Sequence, residues 1–136
     1  MAHHVLVVDD EKPIVRIIQT NLLAEGYTVS CAHDGIEALE KVHASRPDLI
    51  LLDVMMPRMD GWGVLRELKA KPETADIPVV MLTALTDVEH MDRGARLGND
   101  CYLTKPFDPS ELLAIVGRLL ASIDELGYFG DPPADD

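Results

Sequence analysis

Charged side chains stand at the ends of several apolar runs in this sequence. Asp53 directly follows a leucine-rich run, Asp9 and Asp10 follow a valine-rich run, and Lys105 ends a third run. If these runs are neighbouring strands of one sheet, three carboxylates and one ammonium group meet in a single pocket. We therefore expect this pocket to carry the chemistry of the protein.

The charges in such a pocket require a cation. Two carboxylates about 4 Å apart repel each other by roughly 4 kcal/mol at an effective dielectric constant near 20. Mg²⁺ suits the pocket because it takes hard oxygen ligands, typically one or two carboxylates together with waters and a phosphate. Mn²⁺ can occupy the same kind of site. One such ion and Lys105 together balance the three negative charges of Asp9, Asp10 and Asp53.

The same balance favours phosphoryl chemistry. If Asp53 became an acyl phosphate, the pocket with its cation would carry a net charge of only about −1. Asp53 is therefore predicted to be a nucleophile toward a phosphoryl donor, while the metal and Lys105 neutralise charge on the transferring group. Thr83 ends another apolar run, and its hydroxyl could bond a phosphoryl oxygen.

Five strand-like runs alternate with helix-like patterns along the chain. Runs that are apolar at consecutive positions are typical of strands covered on both faces. The predicted strands cover residues 4–8, 28–32, 49–52, 78–82 and 101–104. The predicted helices start near Pro13 and stop at Gly26, cover about 35–45 and about 62–71, run from Thr86-Asp87 to about Leu97, and start again at Asp108 with a good N-cap.

These five βα units predict an α/β fold. Repeated βα units give one parallel sheet with helices on both faces and right-handed crossovers. Ligands bind such sheets beyond the carboxyl ends of the strands, at the point where strand order reverses. Because all the charged residues named above and Thr83 fall at that edge, the fold predicts one shared site for them.

Composition sets the remaining limits. The chain has 136 residues, 47% of them hydrophobic and 26% charged, as expected for one globular domain. We expect residues 1–123 to form this domain and residues 124–136 to form an acidic tail or linker that contains Gly and Pro. Cys31 and Cys101 have no metal-ligand neighbour at useful spacing and are predicted to be buried thiols.

Charge and hydropathy exclude two kinds of partner. A net charge of −12 argues against direct binding of nucleic acid, because that requires a basic surface. No apolar stretch approaches the ~18 residues that a membrane span needs. The N-terminal region carries acids instead of a secretory signal pattern. We therefore expect a cytoplasmic protein that binds no membrane.

Four short motifs occupy the predicted strand ends. They are Val8-Asp9-Asp10-Glu11, the run Asp-Val-Met-Met-Pro-Arg-Met-Asp-Gly from Asp53 to Gly61, Leu82-Thr83-Ala84, and the run Tyr-Leu-Thr-Lys-Pro-Phe from Tyr102 to Phe107. Each motif is weak alone, but the set is specific because all four stand in order and at the right strand ends. Over about residues 4–121 the chain resembles a response-regulator receiver domain of two-component signalling.

The resemblance implies a flavodoxin-like (βα)5 fold with a five-stranded parallel sheet in the order 2-1-3-4-5. By similarity, Asp53 accepts a phosphoryl group from a phosphohistidine on a sensor kinase or phosphotransfer protein. Asp9, Asp10 and Asp53 would hold Mg²⁺ together with the backbone carbonyl of Met55. Lys105 would pair first with Asp53 and then with the phosphoryl group.

The resemblance also implies a signalling switch that is not an enzyme, although it assists its own phosphotransfer and dephosphorylation. Thr83 and Tyr102 resemble a switch pair, in which the hydroxyl moves toward the phosphate and the aromatic ring turns inward. The helix predicted at 86–97, the strand at 101–104 and the last helix would form the face that reads out this state. That face would regulate a partner or output domain, or form a phosphorylation-dependent dimer.

Further expectations concern one peptide bond, one turn and the tryptophan. The family has a cis peptide bond at the position of Lys105-Pro106. Asp60-Gly61 is expected to be a turn without a chemical role. Trp62, at the start of the third helix, is expected to be a partly exposed packing residue.

Two other functions fit parts of the pattern. A Mg²⁺-dependent phosphatase that forms an aspartyl phosphate also has acidic strand ends, but its nucleophile usually follows the first strand, with a second acid two positions later. A phosphate-independent interaction module would not need the intact set of Asp9, Asp10, Asp53, Thr83 and Lys105. The kinase, the partner, and whether the chain is a stand-alone regulator or a piece of a longer one stay open.

Overall fold

The computed structural model describes residues 3–56, 58–84 and 101–126, which form a parallel sheet with helices on both sides. The strands are β1 (His4–Val8), β2 (Thr28–Ala32), β3 (Leu49–Asp53), β4 (Val79–Ala84) and β5 (Cys101–Lys105). The helices are α1 (Lys12–Ala24), α2 (Gly35–Ala44), α3 (Gly61–Ala70), α4 (Pro72–Ala75) and α5 (Pro109–Leu126). The helix predicted at 86–97 lies outside the described residues.

The strand order confirms the expected sheet. All four strand pairs are parallel, and the order is β2-β1-β3-β4-β5. Every residue of β3 is buried, because this central strand is covered on both faces. The reversal of strand order between β1 and β3 leaves a crevice at their carboxyl ends, where ligands bind in sheets of this kind.

Side chains at alternate positions of the strands pack into two separate hydrophobic cores, one on each face of the sheet. Leu49 and Leu51 belong to the core beneath α1 and α5, whereas Ile50 and Leu52 belong to the core beneath α2 and α3. The two cores together hold the strands of the sheet in place. They thereby fix the positions of the residues at its carboxyl edge.

Polar caps and one glycine set the ends of the helices. The carboxylate of Asp34 accepts a hydrogen bond from Glu37 N, that of Asp60 from Gly63 N, and that of Asp108 from Ser110 N. Each thus satisfies a backbone donor at a helix start. After α1, Gly26 has a φ of +92°, a conformation that favours glycine.

The expectation for Trp62 was wrong, because its side chain is only 1% exposed. Asp60 and Gly61 turn the chain so that Gly61 N donates to Val54 O at 2.8 Å. The first turn of α3 therefore starts directly against the end of β3, and Trp62 enters the core beneath it. Its ring lies edge-on to that of Tyr102, with 6.5 Å between the ring centroids.

Three further expectations concern the cysteines, the proline and the tail. Cys31 and Cys101 are free thiols in β2 and β5, and both are half-buried and not fully buried. The Lys105-Pro106 peptide bond is cis, as the resemblance implied. The last helix continues to Leu126, and residues 127–136 lie outside the described part, so the boundary at 123 stays a prediction.

No helix among the described residues is long and apolar enough to cross a membrane.

The close approach of α3 to β3 predicts opposite effects for one substitution at two glycines. A Cβ at Gly61 would lie 2.2 Å from Asp53 O and 2.9 Å from Val54 Cα, whereas a Cβ at Gly117 would have only Tyr27 Oη nearby, at 3.9 Å. We expect Gly61→Ala to lower the free energy of unfolding by about 1–3 kcal/mol because backbone must shift. Gly117→Ala should raise it by about 0.5–1 kcal/mol because alanine favours helix. Urea unfolding measures both, and equal signs would contradict the close approach.

Candidate functional site

Lys105 joins the acids at the carboxyl edge of the sheet. Its Nζ lies 2.8 Å from Asp9 Oδ2, 3.2 Å from Glu11 Oε1 and 3.3 Å from Asp53 Oδ1. The shortest contact goes to Asp9, although the pairing expected from the sequence was with Asp53. Lys105 therefore shares its single positive charge among three carboxylates and does not pair with Asp53 alone.

The strand register explains how these residues meet. Val8 pairs with Leu52, so the residues that follow them, Asp9 and Asp53, leave the sheet side by side. Lys105 lies two strands from β3, opposite Ala84 of β4, and its long side chain reaches over the end of β4. By alternation along the strands, Asp9, Asp53 and Lys105 share the side of the sheet that faces α1 and α5.

Burial makes the charges in this pocket costly. Asp9 is fully buried and Asp53 is 4% exposed. Burial and, to a smaller extent, the Asp9 carboxylate raise the pKa of Asp53, the Lys105 ammonium and the Met55 N–H oppose them, and the resulting pKa is about 7. Burial also pushes the pKa of Lys105 down, but its hydrogen bond to Asp9 and the charges of Asp53 and Asp9 outweigh this and raise the pKa. Lys105 therefore stays charged, and Asp53 is ready to ionise fully when a further cation arrives.

The acids at this edge fit a divalent cation. Carboxylate oxygens of Asp9, Asp10, Glu11 and Asp53 all lie within 4.8 Å of one another. Opposite ligands of Mg²⁺ are about 4.1 Å apart and adjacent ones about 3 Å apart, because each Mg–O bond is about 2.0–2.1 Å long. The oxygens are thus close enough for one ion to be held by some carboxylates directly and by others through water. The donor set, all hard oxygen, is the one that Mg²⁺ and Mn²⁺ take.

Sequence reasoning did not assign Glu11 to the site. Glu11 precedes α1 as its N-cap residue but makes no side-chain cap bond, and its carboxylate turns instead toward Lys105. Its backbone N–H donates to Asp9 Oδ1 at 2.9 Å, which holds the acidic turn together. The signal that could have found it is its place beside Asp9 and Asp10 in a run of three acids.

Met55 lies beside the site, as expected. Its backbone N–H is 3.4 Å from Asp53 Oδ1, and its side chain is 61% exposed. The backbone at Met55 therefore turns back toward the carboxylate of Asp53. That the carbonyl of Met55 binds a metal stays a prediction.

Thr83 and Tyr102 lie on the other side of the sheet from the acids. Thr83 is buried in β4, one position after Leu82, which pairs with Asp53. Tyr102 packs against the core beneath α2 and α3, and Thr83 shares that side by alternation. The two proposed switch residues are thus on one face of the sheet, and Tyr102 lies against Trp62 of α3.

The sequence matches the response regulator receiver domain family over residues 5–117. The chain belongs to this family. Solved receiver domains have the same fold. A putative response regulator from Chloroflexus aurantiacus superimposes with a TM-score of 0.85 at 35% identity, over 89% of this chain and 99% of that one. The chemotaxis response regulator CheY4 of Vibrio cholerae gives a TM-score of 0.82 at 36% identity, over 87% of this chain and 98% of that one.

Curated relatives of this receiver are longer proteins. A probable transcriptional regulator, ycf27, of Cyanidium caldarium is 49% identical over 121 residues, which are 89% of this chain and 47% of that protein. The protein of the same name from Porphyridium aerugineum is 46% identical over 121 residues, or 89% of this chain and 49% of that protein. The receiver chain thus spans about half the length of the curated relatives it matches.

The raised pKa of Asp53 predicts how stability depends on pH without a divalent ion. The folded-state pKa of about 7 lies above the ordinary value of 3.8, so this group's contribution to stability is fully present below about pH 4 and is lost as pH rises through 7. Asp53→Asn stays neutral at every pH. In buffer with EDTA, we expect this variant to be more stable than wild type at pH 8 by about 1–2 kcal/mol, after allowance for solvent screening.

At pH 5 the difference should be smaller, because the carboxyl of the folded wild-type protein is then protonated as well, and it should vanish only below about pH 4, where the unfolded chain is protonated too. Urea unfolding at both values of pH measures it. Asp108→Asn is the matched control, since Asn still caps α5 and the pKa of Asp108 is lowered by its bonds to Ser110. Its effect should be equal at pH 5 and pH 8. A difference for Asp53→Asn that is also equal at the two values would contradict the raised pKa.

Proposed function

We propose that this receiver domain is a phosphorylation-dependent switch. In this proposal Asp53 accepts a phosphoryl group from a phosphohistidine on a sensor kinase or phosphotransfer protein, and the reaction requires Mg²⁺. The observation that carries the proposal is the contact of Lys105 with both Asp9 and Asp53 inside a cluster of four acids. One half-buried ammonium among four carboxylates leaves an excess of negative charge that a divalent ion and a phosphoryl-transfer reaction would both use.

The contacts within the pocket favour Asp53 over Asp9 as the nucleophile. Both oxygens of Asp9 are engaged, Oδ1 by Glu11 N and Oδ2 by Lys105 Nζ. In Asp53, Oδ1 faces Lys105 and Met55 N, and no hydrogen bond from the described residues reaches Oδ2. Asp53 therefore keeps one oxygen for attack, while Asp9 is held as a fixed charge.

The proposed reaction is an in-line displacement at phosphorus. An oxygen of Asp53 forms the new P–O bond as the P–N bond of the phosphohistidine breaks, and the electron pair of that bond stays on the imidazole nitrogen. When bound, Mg²⁺ would neutralise charge on the transferring group. Asp9, Asp10 and Asp53 would hold the ion together with the carbonyl of Met55, and Lys105 would move from the carboxylates to the phosphoryl oxygens.

Receiver domains are signalling domains and not classical enzymes. The phosphorylated Asp53 would therefore act by changing the surface that the domain presents. Thr83 lies on the α3 side of β4 but at the same carboxyl edge as Asp53, and we propose that it bonds the phosphoryl group across this edge and that Tyr102 follows it inward. The segment 86–97, β5 and α5 would then present a different face to a partner or an output domain, or to a second copy of the chain. A coupling of about 1–3 kcal/mol is typical of such switches. The domain would also assist its own dephosphorylation.

The output of the switch belongs to the proposal as well. The relatives are named as probable transcriptional regulators, but this chain carries a net charge of −12, which opposes direct contact with nucleic acid. We therefore propose that it acts on a downstream protein or domain. Its proposed location is the cytoplasm.

Intact mass spectrometry after incubation with a small phosphodonor tests the phosphorylation site. With Mg²⁺ present, we expect the mass to rise by one phosphoryl group, and with EDTA it should not rise. Asp53→Asn should remain unmodified. Asp60→Asn is the matched control, because it makes the same change in the same loop while Asn still caps α3, and it should be phosphorylated normally.

Two results would contradict this assignment. Full phosphorylation of Asp53→Asn would place the modification on another residue. Rapid, continuous turnover of many phosphomonoesters by the wild-type protein would instead favour the phosphatase function.

Trp62 is the single tryptophan of the chain, and its contact with Tyr102 predicts an optical signal of the switch. If the Tyr102 ring moves when Asp53 is phosphorylated, the surroundings of the buried indole change. We expect the emission of Trp62 to change in step with the mass increase. In Tyr102→Leu and in Thr83→Ala the emission change should be largely lost while phosphorylation persists.

Tyr27→Leu is the control for this experiment, because Tyr27 packs against the core beneath α1 and α5, whereas Trp62 belongs to the core beneath α2 and α3. It should keep the emission change. An equal emission change in wild type and in Thr83→Ala would contradict a switch that passes through Thr83 and Tyr102.

A further inference from the structure

The loop that joins β3 to α3 begins directly after the proposed phosphoacceptor Asp53, the last residue of β3, and contains the predicted metal ligand Met55. At its start Met55 N approaches Asp53 Oδ1, at 3.4 Å. At its base Gly61 N donates to Val54 O at 2.8 Å. These two contacts close the loop on itself, but they do not attach its outer part to the rest of the domain.

The outer part of the loop is attached to α2 by an ion pair. Arg58 Nη2 lies 2.9 Å from Asp34 Oδ1 and 2.8 Å from Asp34 Oδ2, so one guanidinium nitrogen bridges both carboxylate oxygens. The same Asp34 Oδ1 accepts from Glu37 N at 2.8 Å and caps α2. Arg58 is therefore held by a carboxylate that is itself fixed at the start of a helix.

The backbone of the loop rests on the same helix start. Arg58 has a φ of +67°, an uncommon conformation for a residue with a side chain. The next residue, Met59, touches α2 so closely that a Cβ on Gly35 would lie 2.5 Å from Met59 O. The ion pair and this backbone contact are separate observations, and both fix the loop on α2.

We propose that Arg58 and Asp34 are positioning residues for the metal site. Their ion pair holds the loop on α2, so that the backbone of Met55 stays beside the carboxylates of Asp53 and Asp9 before the ion arrives. Without the pair, binding of the ion would have to order the loop, and this cost would weaken binding. The inference rests on the proposed Mg²⁺ dependence of the domain.

A purely local role for this pair makes a different prediction. The Arg58 side chain is 60% exposed, and exposed ion pairs contribute little to stability. If the ion pair had no effect on the position of the loop, its removal would leave the Mg²⁺ affinity of the folded protein unchanged. The affinity for Mg²⁺ therefore separates the two roles, and it can be measured without any phosphoryl transfer.

Four substitutions to asparagine provide a matched set for calorimetric titration of the full chain with Mg²⁺. Arg58→Asn removes the guanidinium but suits the positive φ, since Asn tolerates that conformation. Asp34→Asn removes the charge but keeps the cap of α2. The controls are Arg66→Asn, at an exposed position of α3 where the arginine makes no ion pair with any described residue, and Asp108→Asn, at the cap of α5.

We expect Arg58→Asn and Asp34→Asn each to raise the Mg²⁺ dissociation constant by about three- to tenfold, less than the roughly 10–100-fold effect of residues that bond directly to metal ligands. The double variant should be no weaker than the weaker single variant, because both remove one interaction. At saturating Mg²⁺ the rate of Asp53 phosphorylation should return to near the wild-type rate. Both controls should bind Mg²⁺ like wild type.

Equal Mg²⁺ affinity in wild type and both single variants would overturn the inference, and so would effects that multiply in the double variant. Either result would leave phosphorylation of Asp53 intact. If the wild-type protein instead binds Mg²⁺ but takes no phosphoryl group, the proposed function fails, while the calorimetric comparison still decides the role of Arg58 and Asp34.

Discussion

The ammonium group of Lys105 is the constraint on which the carboxyl edge of this sheet depends. Asp9 and Asp53 are withdrawn from water, and two such carboxylates side by side repel each other strongly. Lys105 lies within 3.3 Å of both, and a single positive charge cannot balance four neighbouring acids. The folded domain thus stores an uncompensated negative charge at one defined place.

The topology of the sheet determines where this charge lies and what surrounds it. Placing β1 beside β3 brings Asp9 next to Asp53, while β4 and β5 on the other side of β3 supply Thr83 and Lys105. Alternation along the strands then separates the roles. The acids and Lys105 share the side of α1 and α5, whereas Thr83, Tyr102 and Trp62 share the side of α3. In the proposed switch, phosphorylation on one side of the sheet would change the packing in the core on the other side.

The positions of residues at strand ends could be predicted from the sequence, whereas the contacts of residues in the loops could not. Apolar runs locate strand ends, and parallel pairing brings those ends together, so the meeting of Asp9, Asp53 and Lys105 was predictable. The part played by Glu11 was not, because its side chain could equally have capped α1. Nor was the ion pair of Arg58 with Asp34, since it depends on the path of a loop whose backbone has an uncommon conformation. Trp62 was misjudged because exposure at a helix start depends on how closely Gly61 lets that helix approach β3.

The central claim is that burial and neighbouring acids leave Asp53 short of positive charge, so that a divalent ion completes the site. Carbon-13 NMR of the Asp53 carboxyl, titrated with acid in the absence and in the presence of Mg²⁺, measures this most directly. We expect a pKa of about 7 without the ion and a much lower pKa with it. A carboxyl that titrates near its ordinary value of 3.8 whether or not Mg²⁺ is present would contradict the account.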